Sequence, residues 1–394
     1  MRIAGIVAEY NPFHNGHMYH IQETKKKGAT HIIAVMSGNF VQRAEPAIAS
    51  KFERARVAAA LGVDLVIELP FVYSTAVSER FARGAVSILE TTGVVSMLSF
   101  GSESGDIEAL EKTANAVQDA RVKRRIKQLS EMGDSFPAAQ AKALEVFYPE
   151  LSKLVYGPNN ILAIDYLKAL GWLQSEMKPV TVKRKGAEHD GEGISDSVAS
   201  AKKIRELVRL RTEYSHLLPK ESELMLLDAV AAGRISCGLE RIESAVLYRL
   251  RHMSKEELNL LPDAASGLGD RLFQAACTAS TIDELYELAK TKRYTMSRVR
   301  RAVLAALLDI SEADYSPLPY IRLLAIGRGG EEVLRAMKRR CKLPVAGSLP
   351  EIIALGGVAA KTAMRESAVT DIYNLTLMKR GPKGEDFTTK LFKL

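Results

Sequence analysis

Near its N-terminus the chain reads IAGIVAEYNPFHNGH, from Ile3 to His17. The apolar run that ends at Ala8 predicts a buried strand, and the turn after it opens an amphipathic helix. A strand-to-helix turn of this kind points free backbone N–H groups at one place. His14 and His17, on either side of Gly16, add two imidazoles to those donors. The stretch therefore predicts a phosphate-binding site at the start of the first helix.

Two other interpretations of these histidines stay open. The turn can be an ordinary connection in which His14 and His17 meet by chance. A metal site made of His14, His17 and His20 lacks the carboxylate or cysteine at ligand spacing that would complete it. We therefore predict no dedicated metal site.

Apolar and β-branched runs alternate with helical patterns through the first half of the chain. The predicted strands are residues 3–8, 31–36, 65–69, 95–100 and 180–183. This alternation is typical of an α/β fold, a Rossmann-like parallel sheet of the nucleotidyltransferase type with helices on both faces. Ser50 and Ser74 are predicted to cap the helices that follow them. In such a sheet the ligand lies beyond the carboxyl ends of the strands, where the predicted phosphate site also falls.

A chain of 394 residues with 47% hydrophobic content is expected to be globular and to form two or three domains. We predict a catalytic domain over residues 1–215, with a helical insertion at about 106–170, and a mostly helical, basic domain over residues 216–394. No signal-peptide pattern is present and no run approaches the about 20 apolar residues of a membrane span, so we expect a cytoplasmic protein without membrane contact. Cys237, Cys277 and Cys341 are too widely spaced for a disulfide framework or zinc site, and we expect them to be core thiols.

The net charge of +8 is concentrated in two stretches. The first basic patch comprises Lys290, Lys292, Arg293, Arg298, Arg300 and Arg301, and the second basic patch comprises Arg335, Lys338, Arg339, Arg340 and Lys342. Each patch alone could be a solvated helix face. Together with a phosphate site, the two patches favour a polyanionic partner.

Polar residues also follow other predicted strands. A serine-capped basic helix is predicted within residues 197–205, and Ser200, Lys203 and Arg205 make it a candidate second phosphate-binding element. Loops 37–43 and 101–106 follow the second and fourth strands, and they are rich in Gly, Ser and Asn. These loops can be plain turns, but their clustering at one sheet edge favours a binding site.

Three further polar residues are candidates for the same edge. Arg184 closes the fifth strand, beside Lys183 and Lys185, and faces the ligand edge if that strand is parallel to the first. Asn159 and Asn160 each either cap the helix behind Pro158 or contact the substrate, and only one of them can be the cap.

The chain lacks a Walker-type lysine loop, a Gly-x-Ser-x-Gly elbow and a visible covalent nucleophile. What remains is an apparatus for positioning and for stabilising negative charge. Attack on the α-phosphate of a nucleoside triphosphate, with Mg²⁺ on the leaving pyrophosphate, needs that kind of help.

Several segments resemble the bacterial tRNA(Met) cytidine acetate ligase family, within the His-x-Gly-His nucleotidyltransferase superfamily that is related to class I aminoacyl-tRNA synthetases. The superfamily motif matches His14-Asn15-Gly16-His17. Residues 200–205 resemble its Ser-Thr-x-x-Arg-like element, with Ala201 where threonine is usual. The closer resemblance is carried by residues 5–17, 38–43, 101–103, 157–160 and 292–298.

This resemblance implies an enzyme that uses ATP to activate acetate as acetyl-adenylate and then acetylates the wobble cytidine of elongator tRNA(Met). His14 and His17 are the implied catalytic residues, and Mg²⁺ is implied to arrive with the nucleotide. The implied ATP-binding residues are Val7, Ala8, Glu9, Tyr10, Asn11, Pro12, Phe13, His14, Asn15, Gly16, His17, His20, Gly101, Asn159, Asn160 and Arg184. The implied tRNA-binding residues are Lys292, Arg293, Arg298 and Arg301.

Two other functions stay open. A metabolite adenylyltransferase, which joins a nucleoside monophosphate to a small phosphate ester, explains residues 1–205 but gives the basic helical half no role. A non-catalytic tRNA-binding protein regulated by a nucleotide explains the basic half, but the intact pair of His14 and His17 argues against it.

Overall fold

The computed structural model of the chain describes residues 1–184 and 199–394. Within these residues the strands are β1 (Ile3–Ala8), β2 (His31–Ser37), β3 (Phe40–Val41), β4 (Glu45–Pro46), β5 (Leu65–Leu69), β6 (Val95–Ser102), β7 (Lys178–Lys183), β8 (Ile321–Ile326), β9 (Val345–Ala346) and β10 (Phe392–Lys393). Lys185 and Ser197, which belong to the predicted polar clusters, lie outside the described residues.

The helices of the first half surround these strands. They are α1 (Asn15–Lys26), α2 (Lys51–Ala60), α3 (Phe71–Ser74), α4 (Ser78–Thr91), α5 (Ile107–Ala116), α6 (Ala120–Glu131), α7 (Phe136–Phe147), α8 (Pro158–Leu173) and α9 (Ala201–Leu210). Those of the second half are α10 (Lys220–Ala231), α11 (Glu243–His252), α12 (Lys255–Leu260), α13 (Leu268–Thr278), α14 (Ile282–Ala289), α15 (Met296–Leu307), α16 (Gly330–Met337), α17 (Leu349–Ala354), α18 (Gly357–Leu375) and α19 (Glu385–Thr388). Short 3₁₀ helices lie at Pro149–Val155, Ser215–Leu217, Leu239–Ile242 and Glu312–Asp314. None of the described helices is long and apolar enough to cross a membrane.

The main sheet has the strand order β10-β8-β5-β2-β1-β6-β7, with β9 beside β8. The pairs β5–β2, β2–β1, β1–β6 and β6–β7 are all parallel. These are the strands expected from the sequence, so the predicted α/β fold with a Rossmann-like parallel sheet is confirmed. Their carboxyl ends share one side of the sheet, which we call the ligand edge. The chain runs outward from β1 through β2 to β5 and then crosses back to β6 on the other side of β1, and a crevice for a ligand forms at such a switch point.

The C-terminal half adds strands that the sequence patterns did not predict. Strand β8 pairs antiparallel with β5, and β10 pairs parallel with β8. A short apolar run such as Ile321–Ile326 has the same periodicity in a buried helix as in a buried strand, which is why the pattern alone did not identify it. Helices α11 to α15 pack around a separate apolar core that also takes in Phe40 and Phe71 from the first half.

Three local expectations have different outcomes. Ser50 caps α2 through a capping box, in which its hydroxyl accepts from the Glu53 N–H at 3.3 Å. The prediction for Ser74 is wrong, because Ser74 ends the short helix α3 and its hydroxyl donates to the Phe40 carbonyl at 2.9 Å. The expectation of core thiols is wrong for Cys277, which is exposed on α13.

Candidate nucleotide site

Helix α1 begins with a cap that two histidines make together. Nδ1 of His14 accepts from the Gly16 N–H at 3.0 Å, and Nδ1 of His17 accepts from the His14 N–H at 3.2 Å. A ring nitrogen that accepts a hydrogen bond cannot carry a proton, so each neutral ring bears its proton on Nε2. The two rings stack with their centroids 3.8 Å apart. The cap therefore fixes the tautomer of both imidazoles and leaves Nε2–H as the donor of each.

The surroundings keep these imidazoles neutral. Burial lowers the pKa of His14 to about 3, with help from the positive charges of Arg184 and Arg205. Burial also lowers the pKa of His17 well below its usual value, and the neighbouring His14 and Arg184 add to the effect. At neutral pH both rings thus meet an anionic ligand as hydrogen-bond donors rather than as cations.

The two arginines reach this place from distant parts of the chain. Arg205, on α9, is buried, and its Nη1 donates to the carbonyl of Asn11 at 2.9 Å. Arg184 follows β7, and its backbone N–H donates to the Ser102 carbonyl at 3.0 Å at the ligand edge. The positive charges of Arg184 and Arg205 both act on the His14 imidazole and lower its pKa. The described structure thus brings these predicted residues together at the carboxyl ends of β1, β6 and β7.

The N-terminus of α8 is closed by a carboxylate from another element. Glu103, after β6, accepts from the Asn159 N–H at 2.9 Å and from the Asn160 N–H at 2.6 Å. In return, Oδ1 of Asn160 accepts from the Glu103 N–H at 3.0 Å. The alternative in which one of the asparagines caps α8 is wrong, because Gly157 is the N-cap residue and Glu103 takes up the free donors.

Asn159 connects this helix start to Arg184. Its Nδ2 donates to Glu103 at 2.6 Å, and its Oδ1 accepts from Nη1 of Arg184 at 3.2 Å. Gly101 lies beside the same arginine, since a Cβ added at Gly101 would be 3.5 Å from Cγ of Arg184. The ends of β6 and β7 and the start of α8 therefore carry one connected group of residues, which comprises Gly101, Asn159, Asn160 and Arg184.

Other residues that the resemblance implies for ATP binding support the turn from within. The Glu9 carboxylate accepts from the Gln42 N–H at 3.0 Å, and Oδ1 of Asn11 accepts from the Ile48 N–H at 2.8 Å. Nε2 of His20 lies 3.0 Å from Oγ of Ser99, a residue of β6.

The aromatic and small residues of the same stretch complete its core. Tyr10 and Phe13 are buried with their ring centroids 4.7 Å apart, and Pro12 is buried between them in the chain. Val7 and Ala8 end β1, and Nδ2 of Asn15 donates to the His216 carbonyl at 3.0 Å.

Arg54 is a residue of this edge that the sequence analysis missed. Its side chain is fully buried on α2. Nε donates to the Ala49 carbonyl at 3.0 Å, and Nη1 donates to the carbonyls of Glu9 at 2.5 Å and Ser37 at 3.2 Å. Since Glu9 and Ser37 lie at the ends of β1 and β2, one guanidinium holds both loops of the ligand edge. The sequence signal was an arginine at a core-facing position of an amphipathic helix.

The first basic patch contains two kinds of cation. Lys292 and Arg293 are exposed. By contrast, Nε of Arg298 donates to the Asp263 carbonyl at 2.8 Å, and Nε of Arg301 donates to the Asp263 carboxylate at 2.8 Å. These two arginines therefore also hold the loop before α13 in place.

The second basic patch lies on the other side of the sheet. Arg335, Arg339 and Arg340 line a groove of about 620 Å³ together with Ile3 and Val94, which lie at the amino ends of β1 and β6. This groove therefore lies at the amino ends of the strands, away from the ligand edge, whereas Arg300 of the first patch pairs with Glu45 of β4, in the hairpin that follows β2.

The candidate second phosphate element divides in a similar way. Ser200 caps α9, and its hydroxyl accepts from the Lys203 N–H at 3.2 Å. Nζ of Lys203 lies 3.8 Å from the Glu206 carboxylate, whereas Arg205 contacts the histidine turn. In the part of the chain that the structure describes, no three His, Cys, Asp or Glu side chains gather as a metal site.

Known proteins are similar to this chain over nearly its whole length. The family model HIGH Nucleotidyl Transferase matches residues 1–386. The tRNA(Met) cytidine acetate ligase of Thermoanaerobacter sp. (strain X514) is 36% identical over 406 residues, with 100% of both chains covered. That of Acetivibrio thermocellus is 34% identical, with 99% of both chains covered.

Two solved structures are also similar to this chain over its full length. The crystal structure of Thermotoga maritima TmcAL in its apo form matches with a TM-score of 0.92 at 31% identity over 100% of both chains. TmcAL bound with alpha-thio ATP matches with a TM-score of 0.91 at 30% identity, again over 100% of both chains.

Proposed function

The chain belongs to the HIGH nucleotidyltransferase family and, within it, to the tRNA(Met) cytidine acetate ligases, and from this premise we propose its reaction. It is an ATP-dependent ligase that activates acetate as acetyl-adenylate and acetylates the wobble cytidine of elongator tRNA(Met) to acetylcytidine. The observation that carries the proposal is the neutral pair His14 and His17, whose Nε2–H donors are set by the helix cap.

In the first step an acetate oxygen attacks the α-phosphorus of ATP, and the bond from that phosphorus to the bridging oxygen of pyrophosphate breaks. Negative charge builds up on the phosphoryl oxygens in the transition state. His14 and His17 donate Nε2–H to these oxygens, and one such donor is typically worth about 3 kcal/mol of the barrier. Because both rings stay neutral, they hold their protons throughout the step.

In the second step the exocyclic N4 of the cytidine attacks the acetyl carbonyl carbon, and AMP leaves with the electron pair of the broken bond. The cytidine nitrogen loses a proton to solvent. The site residues have no covalent role in this step. Their task is to keep the adenylate in place until the cytidine arrives.

The nucleotide is proposed to lie across the ligand edge. Residues 7–17 with His20 frame the triphosphate, Gly101 approaches the adenine or ribose, and Arg184 with Asn159 or Asn160 completes the pocket. Lys203 and Arg205 add positive charge from α9, and the Ser200 hydroxyl caps that helix. Mg²⁺ fits as the counter-ion of the triphosphate, without a protein site of its own.

The tRNA is proposed to bind the helical half of the chain. Residues 1–215 act as the catalytic domain, and residues 216–394 bind the tRNA through Lys292, Arg293, Arg298 and Arg301. Support comes from the ion pair between Arg300 of the first basic patch and Glu45 of the hairpin after β2, which connects this patch to the catalytic half, because phosphate contacts there would orient the anticodon. A reaction on tRNA with ATP belongs in the cytoplasm.

Mass spectrometry of nucleosides tests the proposal directly. The protein is incubated with elongator tRNA(Met), ATP, Mg²⁺ and isotopically labelled acetate, and labelled acetylcytidine is the expected product. Pyrophosphate release only with another acid or with a phosphate ester would favour the adenylyltransferase. Binding of tRNA without any pyrophosphate release would favour the nucleotide-regulated binding protein.

A further inference from the structure

Two arginines from different parts of the fold meet on one carboxylate. Glu45, in β4, forms an ion pair with Arg300 of α15. Its other oxygen, Oε2, lies 3.7 Å from Nη2 of Arg205 on α9. Glu45 thus stands between the helix of the first basic patch and the arginine that binds the Asn11 carbonyl.

The hairpin that carries Glu45 is itself attached to the histidine turn. Strands β3 and β4 pair through Val41 and Glu45, and the turn between them reaches Glu9, which accepts from the Gln42 N–H at 3.0 Å. Glu9 precedes Asn11 by two residues in the stretch that leads to His14. A movement of Glu45 would therefore shift the turn that carries His14 and His17, both through Arg205 and through the hairpin.

Arg300 differs from the exposed cations of the same patch. Its side chain is 33% exposed and pairs with Glu45. The guanidinium also lies 5.4 Å from the centroid of the Tyr286 ring. A cation that already has a carboxylate partner gains less from a phosphate, because it must give up one partner to take the other. Arg300 is therefore better suited to holding Glu45 than to binding RNA.

We propose that Glu45 is a positioning residue for the adenylation step, and that Arg300 orients Glu45 rather than binding tRNA. Glu45 keeps the Arg205 guanidinium on the Asn11 carbonyl, and that contact holds the turn from which His14 and His17 project. A basic residue of the helical half thus acts on a reaction that needs no tRNA. This inference rests on the proposed function for its kinetic test, but not for its spectroscopic one.

The kinetic test is acetate-dependent exchange of labelled pyrophosphate into ATP, measured without tRNA. We expect Glu45→Gln to lower kcat about tenfold, because misplacement of reacting groups by a fraction of an ångström acts on the chemical step. The ATP KM should stay the same or fall, since the substitution removes a negative charge beside an anionic substrate. Arg300→Gln should lower kcat in the same direction, and Arg300→Lys should recover part of the loss.

The double variant Glu45→Gln/Arg300→Gln tests whether the two residues act together. We expect its kcat to be no lower than that of Glu45→Gln alone, because both substitutions break the same contact. Arg249→Gln is the matched control. Arg249 is 37% exposed and its Nη2 lies 2.8 Å from the Asp309 carboxylate, within the helical half and apart from Glu45. This control should leave kcat unchanged.

The spectroscopic test uses protein labelled with ¹⁵N at histidine. In the wild type, His14 and His17 should both show the Nε2–H tautomer, and Glu45→Gln should mix the tautomers because the cap loosens. Equal kcat and equal tautomers in wild type, Glu45→Gln and Arg300→Gln would overturn the inference. So would multiplied losses in the double variant, or an Arg300→Gln variant that weakens only tRNA binding. If the wild type shows no acetate-dependent exchange, the proposed function fails, and the tautomers alone still decide the role of Glu45.

Discussion

Two groups of ionisable side chains in the interior of the molecule are in opposite charge states. In the histidine turn, no carboxylate among the described residues pairs with His14 or His17, and burial together with the charge of Arg184 keeps both rings neutral. In the second group, which we call the buried ion cluster, Lys51, Glu68, Arg322 and Asp386 are at most 3% exposed in their side chains, and each pairs with an opposite charge.

The difference in charge state follows from the charged neighbours of each group. Nζ of Lys51 lies 2.6 Å from Glu68 and 2.9 Å from Asp386. Burial alone would raise the pKa of Asp386, but Lys51 and Arg322 lower it to about 2. The cluster joins α2 and β5 of the first half to β8 and α19 of the second, so its charges hold the fold together. The uncharged histidines keep their donors available for a ligand instead.

The largest expected effect is on the buried ion cluster. Lys51→Met leaves Glu68 and Asp386 buried with one cation fewer, and removal of one partner from such a pair typically costs about 3–5 kcal/mol in free energy of unfolding. Urea denaturation followed by circular dichroism measures this. Lys26→Met is the control, because Lys26 pairs with Glu23 at 2.7 Å but is 73% exposed, and an exposed ion pair contributes little to the free energy of unfolding. Equal losses in free energy of unfolding in both variants would contradict the difference between the buried ion cluster and an exposed ion pair.

The next effect is on catalysis in the histidine turn. His14→Asn keeps an acceptor for the Gly16 N–H, since Asn is a good N-cap residue, but it removes the Nε2–H donor. We expect kcat to fall about 10²–10³-fold while the free energy of unfolding changes by less than about 1 kcal/mol. His14→Ala should match that loss of kcat and lose further stability. Unchanged acetylation by His14→Asn would remove His14 from the reaction.

A smaller effect concerns pH. In the unfolded chain a histidine takes up a proton below about pH 6.5, whereas burial lowers the folded pKa of His14 to about 3 and that of His20 to about 4. The unfolded state therefore binds more protons between about pH 4 and pH 6.5. The free energy of unfolding falls as the pH decreases through this window, by up to about 1.4 kcal/mol per pH unit for each group.

His14→Asn removes one of these groups and should make the pH dependence less steep. Denaturation curves collected at pH 6.5, 5.5 and 4.5 (roughly the window set by those values) provide the measurement. The same slope for the variant and the wild type would mean that His14 is not held neutral by burial.

The smallest effect concerns salt. Each phosphate that a lysine or arginine neutralises contributes about 0.7 to 0.9 to the slope of log affinity against log salt concentration. Lys292→Gln and Arg293→Gln should each reduce the slope for tRNA by about that amount, because both side chains are exposed. Arg301→Gln should change it less, since Arg301 already donates to Asp263 at 2.8 Å. Filter binding at several salt concentrations measures these slopes. A larger change in slope for Arg301→Gln than for Lys292→Gln and Arg293→Gln would contradict the assignment of the two exposed side chains to tRNA phosphates.

Much of the site could be predicted because its strongest signals are local. His14, Gly16 and His17 lie within one turn, and the apolar run before them predicts the strand that aims them. Arg184 was expected at the same edge because parallel strands bring their carboxyl ends together. Helix caps were less predictable. Ser50 caps α2, whereas the free N–H groups at the start of α8 donate to Glu103, a residue 57 positions from Asn160.

The amino-acid sequence by itself determined the parallel sheet, the ligand edge and the histidine turn, since alternation of apolar runs and turn chemistry act over short stretches of chain. Only the tertiary structure decided which polar side chains would be neutral, charged or structural. The sequence does not distinguish Glu45 from an ordinary surface charge, and it predicts Arg205 for phosphate binding but not its contact with the carbonyl of Asn11, a residue 194 positions away. The physical reason is that the state of a buried charge depends on burial and on neighbours brought from distant parts of the chain.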